Sequence, residues 1–304
     1  MIFPNRLTLG DTVGIVAPSS PVTPKRAQQC KEYIESIGYT VLMGQSATSS
    51  SHGYLAGEDS LRANDINEMF ANPSVKAIFC IRGGYGGNRL MRLLDYDVIR
   101  SNPKIFVGYS DITSFHLAFH SLCNLVTFHG PMVSSNMLDH FDDYTNHSFF
   151  KALNLNTALQ LCNPSGNDMG VIHDGCACGE IIGGCLSLVS PAIGTFYQPD
   201  FRNKILFLED VDESLPRCDK MIEHLFHAGI IDQVSGIILG EFLDCNNSYD
   251  PSYTIIDYFK DRFAHIGKPV MYNIKSGHGH PMATIPFGTL CRMNTFNRCI
   301  SFKR

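Results

Sequence analysis

Three kinds of residue in this 304-residue chain could together hydrolyse an amide: Ser110, an acidic run at 209–213, and the histidines 278 and 280. The serine lies in "KIFVGYSDITSF", residues 104–115, where an apolar run meets one glycine and then Ser-Asp. A hydroxyl attacks a carbonyl effectively when a base takes its proton and donors stabilise the oxyanion. A strand-to-helix turn would expose the Ser110 side chain and aim the following amides, beginning with Asp111, at a bound carbonyl oxygen. The G-x-S-x-G pattern of hydrolase elbows is absent, because Ile112 stands where its second glycine belongs. Taken alone, this segment favours Ser110 as the cap of a helix starting at Asp111.

A second cluster is "IRGGYGGNRL", residues 81–90. Its glycines let the backbone pass close to a ligand and present N–H groups to an anion or oxyanion. It is neither a P-loop nor a G-x-G-x-x-G fingerprint, and a plain tight turn is an equal reading. Gly83, Gly84 and Tyr85 are candidates for contact with substrate, and Arg82 could grip a substrate carboxylate in a bidentate contact. An exposed salt bridge would use the same arginine.

"ILFLEDVDE" places Glu209 after four apolar residues, at an expected strand end. A carboxylate there can orient a histidine and stabilise its imidazolium. Asp210, Asp212 and Glu213 compete for that role, and such a run could instead bind a cation or simply be solvated. "KSGHGHPMATIPFG" holds His278 and His280, and histidine is the side chain suited to general-base work near neutral pH. His129 in "TFHGP" and the acids leave a metal site as the minority reading. "CACG", residues 176–179, has no second matched pair and reads as structural thiols.

These clusters recur at the ends of apolar runs, which identifies the elements that must position them. The first half alternates strand-like and helix-like segments, including "DTVGIVAPSS", a helix near 24–37, "VKAIFCIRGG", a helix over "GNRLMRLLDYDVIRSN", "KIFVGYS" and "LVTFHGP". That alternation predicts a parallel sheet with helices on both faces, whose ligands bind outside the carboxyl ends of the strands. Residues 136–178 turn polar and read as a linker with one helix; a more mixed α/β unit follows. A net charge of −5 without a basic run leaves no electrostatic footprint for nucleic acid. No stretch approaches the roughly 20 apolar residues of a membrane span, and no secretory leader is evident. Eleven cysteines, an odd number set mostly in apolar segments, predict reduced buried thiols rather than a disulfide framework.

In order along the chain, "GDTVGIVAPSSP", "IFCIRGGYGGNRLMRLLDYD", "FVGYSDIT", "TFHGPM", "GGCLSLV", "ILFLEDVDE", "VSGIILGEF" and "GHGHPMATIPFG" resemble the LD-carboxypeptidase family of serine peptidases, which includes microcin C immunity peptidases. The resemblance implies a Ser110–His278–Glu209 triad, with the histidine found by counting back eight residues from Pro286. It implies an N-terminal parallel α/β domain carrying the serine (residues 1–140), a linker (141–175) and a C-terminal mixed α/β domain carrying the glutamate and histidine (176–304), with the active site between them. Backbone N–H groups at Asp111 and near Gly84 would form the oxyanion hole. Cys185 departs from the family's usual G-G-N-L-S, and the histidine loop looks more like the microcin branch whereas the glycine loop looks like the muropeptide branch.

The expected protein is therefore a cytoplasmic serine carboxypeptidase, a homodimer by resemblance, that uses no metal or cofactor. Its substrate would be a peptidoglycan-derived tetrapeptide from which terminal D-alanine is released. Cleavage of a peptidyl-nucleotide amide, or binding of a peptidoglycan fragment without turnover, are the alternatives. An α/β-hydrolase would share the order Ser…Glu…His but lacks support from G-x-S-x-G.

Overall fold

The computed structural model describes residues 1–154 and 158–304, and among these, fourteen strands lie in two sheets. Strands β1 (Thr12–Val16), β2 (Thr40–Met43), β3 (Val75–Cys80), β4 (Ile105–Gly108) and β5 (Thr127–His129) alternate with helices α1 (Pro24–Ser36), α2 (Asp59–Ala71), α3 (Tyr96–Ser101) and α4 (Thr113–Cys123). Neighbouring strands in this set all pair in parallel, in the order β5-β4-β3-β1-β2. Parallel strands covered on both faces need unbroken apolar runs. Ala77–Cys80 and Ile105–Gly108 supply them, every residue buried. A packed aromatic group seals one face: Phe106 meets Phe119 edge-on at 5.0 Å, and Phe70 and Phe115 at 6.2 and 5.9 Å between ring centres.

The strand order reverses between β1 and β3. Loops leaving the carboxyl ends at such a point diverge and open a crevice. Residues 17–21 and 81–87 are those two loops, and the Ser20 amide donates to the Gly83 carbonyl at 3.3 Å across the gap. The serine turn follows on the next strand, β4.

The second half contributes α5 (Asp143–Leu153), β6 (Leu159–Leu161), β7 (Gly170–His173), β8 (Cys176–Cys185), α6 (Leu186–Ala192), β9 (Ile205–Val211), α7 (Leu215–His227), α8 (Ile230–Gln233), β10 (Gly236–Leu243), α9 (Ile255–Phe263), β11 (Val270–Tyr272), β12 (Ile285–Phe287), β13 (Leu290–Asn294) and β14 (Cys299–Lys303). Its sheet runs β6-β14-β13-β8-β9-β10-β11-β7, parallel from β8 to β11 and antiparallel outside them. The fold is thus the expected α/β class, with one mostly parallel and one mixed sheet.

Three local expectations differ from the structure. Residues 141–175 hold more than a linker with one helix: besides α5 they carry β6 and β7, which close the two edges of the second sheet. β6 alternates over only Leu159–Leu161 and β7 is half-buried throughout, so neither is long enough for a clear period-2 signal; residues 155–157 of that stretch lie outside the described residues. Next, β12 leaves the second unit and pairs antiparallel with β5 in the first sheet. Finally, "GNRLMRLLDYDVIRSN" is not one helix. A single tight turn covers Gly87–Leu90, and α3 starts afresh after Asp95, whose carboxylate accepts from the amides of Asp97 and Val98 at 3.1 and 3.0 Å. The competing helix start won over the apolar periodicity.

Phe106 is fully buried within the aromatic group. Phe106→Ala is expected to cost about 3–5 kcal/mol of unfolding free energy, measured by urea denaturation. A loss below about 1 kcal/mol would mean that this cluster does not hold the first sheet to its helices.

Candidate active site

Ser110 ends an extended approach along β4 and Tyr109 and adopts φ +64°, in the left-handed region. Non-glycine residues seldom adopt that conformation, and when they do the surroundings must hold them there. Ser110 opens a tight turn over Ser110–Ile112 that runs directly into α4. The residues at the two N-cap positions are Tyr109 and Ile112, and neither makes a side-chain cap hydrogen bond. Ser110 is therefore not the cap that its own segment favoured, and its side chain is half-buried just past the end of β4.

The glycine loop packs onto that turn. A methyl group at Gly83 would stand 2.9 Å from Ser110 Cβ and 3.1 Å from its Oγ. Gly84, at φ +115°, has no room for one because of Ser20 Oγ, which itself accepts from the Tyr85 amide at 3.1 Å. No side chain fits at Gly83 or Gly84, so the loop meets the serine turn with backbone alone. Arg82 is exposed at the loop's rim, with one long contact of 3.4 Å to the Pro21 carbonyl. Tyr85 is exposed too, its ring 5.8 Å from that of Tyr54.

Asp111 takes a structural part through its side chain. Buried at 2% exposure, its carboxylate accepts from Ser19 Oγ at 2.6 Å and from the Gly87 amide at 2.6 Å. It thereby ties the loop after β1 and the loop after β3 to the serine turn. Burial pushes its carboxyl above the usual range, against the pull of these two hydrogen bonds.

Glu209 is inside β9, opposite Cys185 of β8, rather than at the strand's end. It is fully buried, and its Oε2 lies 2.7 Å from His278 Nδ1. That contact places a proton on Nδ1 and leaves Nε2 as the basic nitrogen. Burial opposes the imidazolium, but the charge and hydrogen bond of Glu209 outweigh it, and the His278 pKa rises above its ordinary value. Burial also holds the Glu209 carboxyl above the usual range, with His278 drawing it back down. The His278 ring meets the Tyr109 ring edge-on at 4.9 Å between centres, so the histidine loop and the serine turn share one site. Burial lifts the Tyr109 phenol to about 12, keeping it neutral. Among the described residues no hydrogen bond joins Ser110 Oγ to the His278 ring; such contacts often tighten only once substrate is bound.

The competitors lie elsewhere. Asp210 points to the opposite face of β9, where it accepts from the Ser187 amide at 2.8 Å and from Cys185 Sγ at 3.2 Å. His280 is exposed and stacks on His140 at 4.5 Å. His129 is fully buried between Tyr109, Phe207 and Phe287, and burial drives its pKa far down. Among the described residues no group of three His, Cys, Asp or Glu is placed to hold a metal ion.

Two family models match the chain: the LD-carboxypeptidase N-terminal domain over residues 13–130 and the C-terminal domain over residues 178–293. The chain belongs to the LD-carboxypeptidase family. It is 38% identical over 294 residues to a Bacillus subtilis protein named "Probable murein peptide carboxypeptidase", covering 96% of this chain and 91% of that one. It is 30% identical to the Microcin C7 self-immunity protein MccF of Escherichia coli, covering 97% and 94%. A solved structure of MccF with glutamyl sulfamoyl guanosine superimposes at a TM-score of 0.89, with 28% identity and 99% and 98% coverage. The muramoyltetrapeptide carboxypeptidase of Oxalobacter formigenes does so at 0.80, with 27% identity and 96% and 97% coverage. Membership makes this protein a carboxypeptidase of the serine-peptidase type.

Residues that sequence reading passed over complete this LD-carboxypeptidase fold around its site. Arg62 is fully buried within α2 and donates to the carbonyls of Gly57 at 3.1 Å and Gly86 at 2.9 Å, and also to Pro18 and Asp59. An arginine inside "SLRANDINEMF" reads as a solvated position, and only the carbonyls brought to it by three loops explain its burial. Ser19 and Ser20, inside the quoted "APSSP", likewise gain meaning only from the loops they meet. Cys185, where the family usually has asparagine, donates its amide to Thr113 Oγ1 at 3.0 Å, locking β8 to the helix that follows the serine.

Asp111→Ala would leave a buried hydroxyl and a buried amide without an acceptor. The expected cost is about 1–3 kcal/mol of stability, together with a fall in kcat as the glycine loop loses its tie to Ser110. Equal kcat in a folded variant, checked by circular dichroism, would show that the tie does not matter for turnover.

Proposed function

We propose that the protein hydrolyses the amide joining terminal D-alanine to the L-centre of a diamino acid in peptidoglycan-derived tetrapeptides, as in murein recycling. The reading rests on one observation above the others: the Glu209–His278 hydrogen bond of 2.7 Å lies against Tyr109, the residue before the left-handed Ser110. His278 Nε2 takes the Ser110 proton as Oγ attacks the scissile carbonyl carbon. The oxyanion is held by backbone N–H groups at Asp111 and along Gly83–Gly84. His278 then returns the proton to the departing amine, releasing D-alanine and leaving an acyl-serine. Water, deprotonated by the same imidazole, attacks that ester; its proton goes back to Ser110 Oγ and the shortened peptide leaves as a carboxylate. Arg82, on the rim, suits the terminal carboxylate of the substrate, and Tyr85 its flank.

Cleavage of a peptidyl-nucleotide amide is the second reading, favoured by the match to MccF bound to glutamyl sulfamoyl guanosine. The homodimer and the cytoplasmic setting belong to the same proposal and rest on the family resemblance. Purified protein given L-Ala-D-Glu-diaminopimelate-D-Ala and its all-L counterpart is expected to release the terminal alanine from the first only, with EDTA present or absent. Ser110→Ala should abolish release while remaining folded, and His278→Ala should be severe where His280→Ala is mild. Turnover of an aminoacyl sulfamoyl nucleotide with none of the tetrapeptide would transfer the assignment to the second reading.

The imidazole accepts a proton only when neutral. Its pKa is raised, so kcat/KM is low below that raised value and climbs as pH rises through it. Glu209→Gln removes the charge responsible, which shifts the acid limb to lower pH. It also lowers kcat, by a factor on the order of 10⁴ in triads of this type. An acid limb left in place by Glu209→Gln would sink the role of Glu209.

A further inference from the structure

His278 stands between two glycines, and each glycine lies over a different buried carboxylate. A methyl at Gly277 would be 2.9 Å from Glu209 Oε2, and one at Gly279 would collide with Glu241 Oε2. The two acids come from adjacent parallel strands, β9 and β10, each two residues before its strand's last residue, so the loop is draped across both strands. Glu241 is anchored to the loop twice: its amide donates to the Ser276 carbonyl at 3.1 Å, and its Oε1 lies 2.8 Å from Lys275 Nζ. The Glu241 and Lys275 side chains are 12% and 18% exposed, so the pair is largely shielded from water. Each carboxylate uses one oxygen on the loop, and its other oxygen is buried without a hydrogen-bond partner among the described residues. Nothing in the triad requires the second acid or its lysine.

We propose that Glu241 and Lys275 are positioning residues for His278: their ion pair pins the histidine loop, and Lys275 offsets the pull of Glu241 so that Glu209 governs the ring. The proposal rests on the triad reading. A lone carboxylate under Gly279 would pull a proton toward the ring just as Glu209 does; Glu241 adds to the rise of the His278 pKa behind Glu209, and Lys275, paired with it, opposes that pull. The other groups facing the ring are Tyr109 from the end of β4, His129 from β5 and Glu209 from β9, while Asp210, on the opposite face of β9, reaches it by charge alone. All of these remain in place when the pair is altered.

The two halves of the pair therefore act on His278 with opposite sign, which a merely structural salt bridge would not do. Lys275→Met leaves Glu241 uncompensated and should move the acid limb of kcat/KM to higher pH. Glu241→Gln leaves the lysine uncompensated and should move it to lower pH. The double variant should return the limb close to that of the parent, and Lys275→Arg should hold it there. In both single variants kcat is expected to fall by about 10- to 100-fold through misplacement of the ring, with KM changed far less. The limb is read from activity on the tetrapeptide, and the same titration is followed directly by NMR of the labelled His278 ring in substrate-free protein. Opposed shifts of the ring titration support the pair. Shifts of the same sign, or none, in folded variants overturn it. If Glu209→Gln moves the titration and the pair variants do not, the triad stands and this proposal falls. If the ring shifts as described but Ser110→Ala leaves turnover intact, the pair stands and the triad reading falls.

Discussion

A carboxylate sealed from water in the middle of a strand must find a cation or a proton, and Glu209 finds His278. Much of the site's architecture follows from that requirement. The partner has to approach from above the sheet at 2.7 Å, so the loop that carries it can tolerate no side chain at Gly277. The imidazole then has one nitrogen committed and one free, and its orientation is set before any substrate arrives. Stabilisation comes second to orientation here. A buried ion pair gives back most of what its desolvation costs and little more, whereas a ring fixed in direction and tautomer is what general-base chemistry needs.

The serine poses a complementary problem. A left-handed Ser110 stores strain of order 1–3 kcal/mol, which the surroundings must hold in place. Asp111 does so by binding the two loops that diverge at the strand-order reversal, and Arg62 binds the same loops from below through their carbonyls. A buried acid and a buried cation thus brace adjacent residues, Gly87 and Gly86, of one glycine-rich turn. Their side chains hold the backbone that in turn approaches the serine, so that the loop's N–H groups can be precise without any side chain of their own in the way.

The sequence made legible whatever was local. Strands of the first sheet are apolar runs, each followed within three residues by glycine or serine, and those runs lie where the alternation places them. Glu209 and His278 stood out by residue type, and their pairing followed from family order. What remained hidden was long-range. The role of Arg62 depends on carbonyls separated from it by up to 44 positions, and Asp111 meets Ser19 across 92. Strands β6 and β7 are three and four residues long with half-polar patterns, so only the sheet edges waiting for them give them form. The cap reading of Ser110 failed for a related reason. A cap needs a free amide two or three residues on, and here the chain enters the turn one residue too early.

The placement of β12 explains how two sheets can serve one reaction. The chain leaves the second sheet after β11, forms the histidine loop, and then lays Ile285–Phe287 against β5 of the first sheet before β13 returns. The loop is therefore anchored in the second sheet at its start and in the first at its end. Glu241 and Lys275 hold the upstream half to β10, while the amides of Met282 and Thr284 donate to Thr145 Oγ1 and Ser148 Oγ of α5 downstream. A loop tethered at both ends in this way has little freedom to carry His278 away from Tyr109. The geometry between serine and histidine is consequently a property of the contact between the sheets, and changes at that contact act on the base even when they lie far from the reacting atoms.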